Sequence, residues 1–168
     1  MARRIELEVD YDNPDAPGFY TNFDNYGAIL YYAYTVNQTL ALELYKAMVS
    51  EYYYKLETGI PLEGLTDENL NVYLPLSDLP HVIAFIDNQI LPSLQLLPLT
   101  LDLTNKWKIG NSFDAFLMNQ GSFFNHFSID NIEQKGYTVK YFIASFTQLR
   151  DFLEDVRIKN TTYTVSII

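Results

Sequence analysis

Glu6, Glu8, Asp10 and Asp12 fall at every second position near the N-terminus, with Ile5, Leu7, Val9 and Tyr11 between them. A period of two is that of a β-strand, so the carboxylates share one face and the apolar side chains the other. Neighbouring carboxylates on that face stand about 6.8 Å apart, from a rise of about 3.4 Å per residue. That is about twice the 3.4 Å axial rise per nucleotide of one DNA strand, and comparable to the distance between neighbouring phosphates. Such a row predicts a surface that pairs with the Lys and Arg of a basic protein and fits a groove built for nucleic acid. Asp15, Tyr20, Asp24, Tyr52 and Tyr53 extend the same candidate partner-binding surface. Tyrosine suits it because its ring is rigid and amphipathic, with a hydroxyl at the tip.

Other chemistries find less support. The chain has no cysteine, which excludes disulfides, thiolate metal sites and a cysteine nucleophile. Only His81 and His126 offer imidazole, too few nitrogen donors for a typical zinc site. The run from Asn22 to Gly27 loosely follows a calcium loop, but Ala33 stands where the loop's terminal acid belongs. Ser122, His126 and Asp130 are spaced to share a helix face, yet Gly121 and the flanking phenylalanines weaken that helix, and no Gly-x-Ser-x-Gly elbow occurs. Neither Gly-rich phosphate motif is present. Lys106-Trp107-Lys108 is too short for a single-strand stacking site. These readings predict no catalytic residues, no metal and no cofactor.

The elements that must position the carboxylates follow from periodicity. Ile5 to Tyr11 predicts a strand, and Asn13 to Gly18 a loop. Tyr26 to Val36, rich in Tyr, Ile and Val, predicts a second, more buried strand. Asn37 is placed to cap a helix running through Leu40, Leu44, Met48 and Tyr52, stopped by Gly59 and Pro61. A short helical turn is expected at Thr66. Ser77 or Asp78 opens another helix with a core face of Leu79, Val82, Ile83, Ile86 and Ile90, bounded by Pro92 and Pro98. Leu99, Leu101 and Leu103 predict a strand, extending toward Ile109. Ser112 caps a third helical stretch. Tyr137, Val139, Tyr141 and Ile143 predict another strand, Ser145 to Gln148 a capping box, and Thr161 to Ile168 a closing strand. Strands that cluster early and then alternate with helices define an α+β class, with a mixed or mostly antiparallel sheet and about four helices. No repeat, linker or low-complexity tract divides the chain, so residues 1–168 are expected to form one domain.

Charge is distributed unevenly. The 168 residues carry a net charge of −10. Residues 1–102 hold fifteen acids and four bases, a balance of −11; residues 103–168 hold six acids and seven bases, a balance of +1. Eleven of the fourteen tyrosines lie at or before Tyr73. The plain reading is that the acids solubilise the domain and the tyrosines fill strand positions. The sharper reading is an acidic, tyrosine-rich surface laid over that core for a basic protein partner, because acidic fields speed encounter with positive surfaces. Direct nucleic-acid binding is not expected of such a balance. No apolar run reaches the length of a membrane span and no leader is evident, so a cytoplasmic protein is expected. In size and composition the chain resembles small acidic inhibitors carried by phages and mobile elements. The expected function is therefore a non-enzymatic, immunity-type or counter-defence inhibitor that occludes a basic groove. The alternatives are a self-assembling scaffold protein that forms homo-oligomers through strand edges, and a small hydrolase or ligand-binding domain.

Overall fold

A computed structural model of the chain describes residues 4–9, 13, 15–103 and 137–168. Asp10, Asp12, the expected strand extension toward Ile109, the helix at Ser112, and Ser122, His126 and Asp130 lie outside the described residues. The architecture is α+β, with one antiparallel three-stranded sheet among the described residues.

The central strand is β1 (Arg4–Glu8), flanked by β2 (Gly18–Asn22) and β3 (Thr164–Ile167). Ile5 stands opposite Thr21 and Ile167, and Leu7 opposite Phe19 and Val165. Residues directly opposite share a face, so this is the core side, and Ile5 and Leu7 are fully buried on it. Glu6 stands opposite Tyr20 and Ser166, and Glu8 opposite Gly18 and Thr164, on the outer side.

The segment expected as a second strand is instead α1 (Phe23–Val36). Asn22 caps it, its Oδ1 accepting from the Asn25 N–H at 2.9 Å. Every residue from Tyr26 to Ala33 is buried, so the helix is covered on all sides. Periodicity alone cannot separate such a helix from a buried strand.

Asn37 caps α2 (Gln38–Ala47) as expected, accepting from the Leu40 N–H at 3.0 Å. The helix does not run on to Gly59. It ends at Ala47, and Ser50 caps α3 (Glu51–Thr58) by accepting from the Tyr53 N–H at 3.2 Å. Gly59 then closes α3 in the left-handed conformation, φ 75°. The break leaves carbonyls without helical partners, and all of those that follow are taken up. Tyr163 Oη donates to the Ala47 carbonyl and Tyr26 Oη to that of Met48, each at 2.6 Å. The Leu74 and Tyr73 N–H groups donate to the Lys46 and Val49 carbonyls, each at 3.0 Å.

A 3₁₀ turn, Leu76–Asp78, leads into α4 (Leu79–Phe85), a π turn (Ile86–Ile90) and α5 (Leu91–Gln95), all one rod. The expected core face is buried throughout. Pro92 does not end the helix. A proline ring clashes with the carbonyl four residues back. Here the ladder widens just before it, with the Leu91 N–H bonded to the Ile86 carbonyl.

Two further strand expectations are overturned. Around Leu101 the described residues form a single bridge, Asp102 to Thr138, rather than a strand. The run from Tyr137 to Ile143 instead holds the start of α6 (Val139–Lys159), capped by Thr138 accepting from the Tyr141 N–H at 3.3 Å. Val139, Phe142, Phe146, Leu149, Leu153 and Val156 form a buried stripe at helical spacing. The alternating run that suggested a strand includes Tyr141 and Ile143, which lie off that stripe and are only half-buried. No helix among the described residues is long and apolar enough to cross a membrane.

Candidate acidic binding face

The outer face of the sheet is where Glu6 and Glu8 fall, the two alternating acids among the described residues. Glu6 sits in the middle of the central strand and is only 4% exposed. Arg4, two residues earlier on the same face, brings its Nε to 2.6 Å from Glu6 Oε1. That oxygen accepts no aligned hydrogen bond, so charge rather than geometry holds it. Arg4 is mostly exposed, so the pair is screened on one side.

Glu8 lies on the same face, half-buried. Burial pushes its carboxyl above the ordinary range, hydrogen bonding to Glu6 and the Glu6 charge add to the rise, and Arg4 opposes it. Two carboxyls side by side on one strand face repel when both are ionised, which is the like-charge case of a raised acid. Tyr20 stands beside them, 55% exposed. Its hydroxyl is raised by partial burial and by the charges of Glu8 and Glu6. The ring lies back along the strand over Gly18, where a Cβ would stand 2.7 Å from Tyr20 Cζ. Glycine at that position is what lets the ring lie flat.

Glu8 yields a signed prediction. Its folded carboxyl holds a proton more tightly than the unfolded one, so its contribution is most favourable at acidic pH. That contribution is lost as pH rises through the folded pKa. Glu8→Gln is therefore expected to raise Tm at about pH 7 and to leave it unchanged at about pH 3, below the usual carboxylate range. A pair of thermal melts checks it. A lower Tm for the variant at neutral pH would show that the ionised Glu8 is stabilising.

The remaining candidates are more dispersed. Asp15 is exposed in the turn after β1, its N–H donating to Asn13 Oδ1 at 3.0 Å. Asp24 is half-buried in the first turn of α1, where a carboxylate suits the positive end of the helix dipole. Tyr52 and Tyr53 are half-buried on α3, outside the sheet face, their rings packed edge to face at 5.1 Å. The structure thus brings Glu6, Glu8 and Tyr20 together. The tyrosine-rich surface is in part core, since Tyr26, Tyr31, Tyr32 and Tyr45 are buried. Sequence reasoning missed Arg4 and Gly18. Both stand in register with Glu6 and Glu8 on the outer face, and Gly18 two positions before Tyr20 was the available signal.

Most basic side chains that the structure describes are spent locally. Lys46 pairs with Glu43 at 3.0 Å, Lys55 with Glu51 at 2.8 Å, and Arg150 with Asp87 at 3.0 Å. Arg157 pairs with Glu154 at 2.5 Å and Lys159 with Asp155 at 3.2 Å. Among the described residues no three His, Asp or Glu side chains stand close enough to hold a metal ion. No protein-family model matches the chain, and no curated protein or solved structure matches it significantly.

Proposed function

We propose that this chain binds and inhibits a basic protein, presenting the outer face of its sheet to a positively charged surface such as a nucleic-acid-binding groove. The observation that carries this reading is the exposed Tyr20 ring beside the Glu6–Glu8 pair, in a chain whose net charge is −10. Glu6 is too buried to make the contact itself. It supports Glu8 and adds its field to that of the face, while Tyr20 supplies the apolar contact area. Acidic fields of this kind act mainly on the rate of encounter, so binding should weaken as salt screens them. The inhibitor then works by occlusion and needs no chemistry of its own.

The test is capture of basic nucleic-acid-processing proteins from a bacterial lysate at low and high salt. The wild-type chain is run beside a variant carrying Glu6→Gln, Glu8→Gln, Asp10→Asn and Asp12→Asn. The expected result is a basic partner retained at low salt, released at high salt and weakened in the variant. Affinity and salt slope both unchanged in the variant would end the reading.

A further inference from the structure

The outer edge of β2 is laid out for one more strand. Arg4 and Ile168 exchange both backbone hydrogen bonds, at 3.1 Å each, so the Arg4 peptide groups point toward β3. Direction alternates residue by residue in an antiparallel ladder. Ile5 and Leu7 therefore bond across to Thr21 and Phe19, and the Val9 N–H continues the pattern to the Pro17 carbonyl at 3.3 Å. Gly18 and Tyr20 lie between these positions, and their N–H and C=O groups face away from β1. Among the described residues no strand covers that edge.

A groove of about 550 Å³ runs along it. One wall is residues 17–20; the other is the α6 stripe Gln148, Asp151, Phe152 and Asp155. Four strand residues span about 13 Å and seven helical steps about 10 Å, enough for three or four residues of an extended chain. Phe19 and Phe152 form the buried apolar floor of the groove, while Asp151 and Asp155 line it with carboxylates, Asp155 in an exposed pair with Lys159 at 3.2 Å. Asp151 is 65% exposed and only 3.5 Å from Arg150, an exposed pair of the kind a partner's cation can displace. Glu8 stands opposite Gly18 on the sheet's outer face, and its charge reaches the Tyr20 hydroxyl above the same edge.

We propose that this groove captures an extended Lys- or Arg-bearing segment of the partner protein as a fourth strand, with Gly18 and Tyr20 supplying the backbone bonds. The proposal rests on the reading of the chain as a binder of basic proteins. Charge selects the occupant. A second copy of this chain would set Asp151, Asp155 and Glu8 against their own counterparts in a molecule of net charge −10, whereas a basic segment meets them with opposite sign. Main-chain bonds give affinity in this mode, and alternate side chains give specificity.

The full chain is titrated with a capped alternating Lys–Val octapeptide, its Glu–Val counterpart, and a Lys–Val peptide N-methylated along one edge. Amide hydrogen exchange and anisotropy are the readouts. The Lys–Val peptide is expected to bind and to slow exchange at Gly18 and Tyr20, and the other two peptides to fail. Asp151→Asn with Asp155→Asn is expected to weaken binding about tenfold. Equal binding of the N-methylated peptide, or no protection at Gly18 and Tyr20, overturns strand addition. Concentration-dependent protection without peptide makes the occupant a second copy and also overturns it. If the lysate partner is still captured in a salt-dependent way, only the edge proposal falls. If neither peptide nor partner binds, the reading beneath it falls as well.

Discussion

Phe142→Ala should lower the unfolding free energy by about 3–5 kcal/mol, the usual cost of truncating a fully buried aromatic. Phe142 is 0% exposed at the centre of a ring cluster. Tyr32 stacks on it at 5.4 Å, Tyr141 meets it edge-on at 5.6 Å, and Tyr137 and Phe146 stand at 6.0 and 6.4 Å. These contacts tie α6 to α1, so the cavity would open at the joint between two helices rather than within one. For a chain of this length each kcal/mol moves Tm by about 2–4 °C, so a fall of about 6–20 °C is expected. Phe142→Leu keeps most of the volume and should cost about 1–2 kcal/mol. Urea unfolding of the two variants checks the order. A Phe142→Ala protein within about 1 kcal/mol of wild type would mean that the helices do not depend on this contact.

Tyr26→Phe and Tyr163→Phe should each cost about 1–3 kcal/mol, although neither change opens a cavity. Both rings are fully buried and both hydroxyls donate to carbonyls released where α2 ends, on the successive residues Met48 and Ala47. Removing a hydroxyl strands a carbonyl in a place water does not reach. The two bonds hold one backbone break, so the losses should not add. The double variant should lie about 0.5–1 kcal/mol from the sum of the singles. Calorimetry of the four-protein cycle decides it. Strict additivity would show that the two carbonyls are held independently, and singles below about 0.3 kcal/mol would show that water replaces the hydroxyls.

The helix starts were partly written in the sequence. Asn37 and the Gly59 stop were readable because capping is local, a side-chain oxygen meeting an N–H three residues on. The same chemistry at Asn22, Ser50 and Thr138 is harder to read. Asn22 doubles as the first residue of a loose calcium-loop pattern, and Ser50 lies inside a run whose four-residue apolar spacing continues without a break. Thr138 preceded a run that alternates as well as it spirals. The strand reading of Tyr26 to Val36 failed because a helix enclosed on every side has no polar face to mark its period. β1 and β3 were legible because one face is apolar and the other polar, and the period of two survives. Of the candidate face, the alternation that puts Glu6 beside Glu8 was visible. The burial of Glu6 was not, since it comes from the flanking strands and from Tyr20, and those contacts belong to the fold. The groove was also invisible, because its walls are more than 120 residues apart in the chain.

The exchange of bonds between Arg4 and Ile168 has a mechanical consequence. β1 leaves that rung toward Glu8, and β3 arrives at it from Thr164, opposite Glu8, so residues 4 and 168 mark the same end of the ladder. A force drawing these two residues apart would load the rungs one after another, as a zipper is opened, and never all together in shear. Sheets loaded that way yield at low force, and the sheet would open from this rung toward Glu8 and Thr164. Attachment through residue 4 and residue 168 would thus let a modest pull uncover Ile5 and Leu7 before it disturbed the helices.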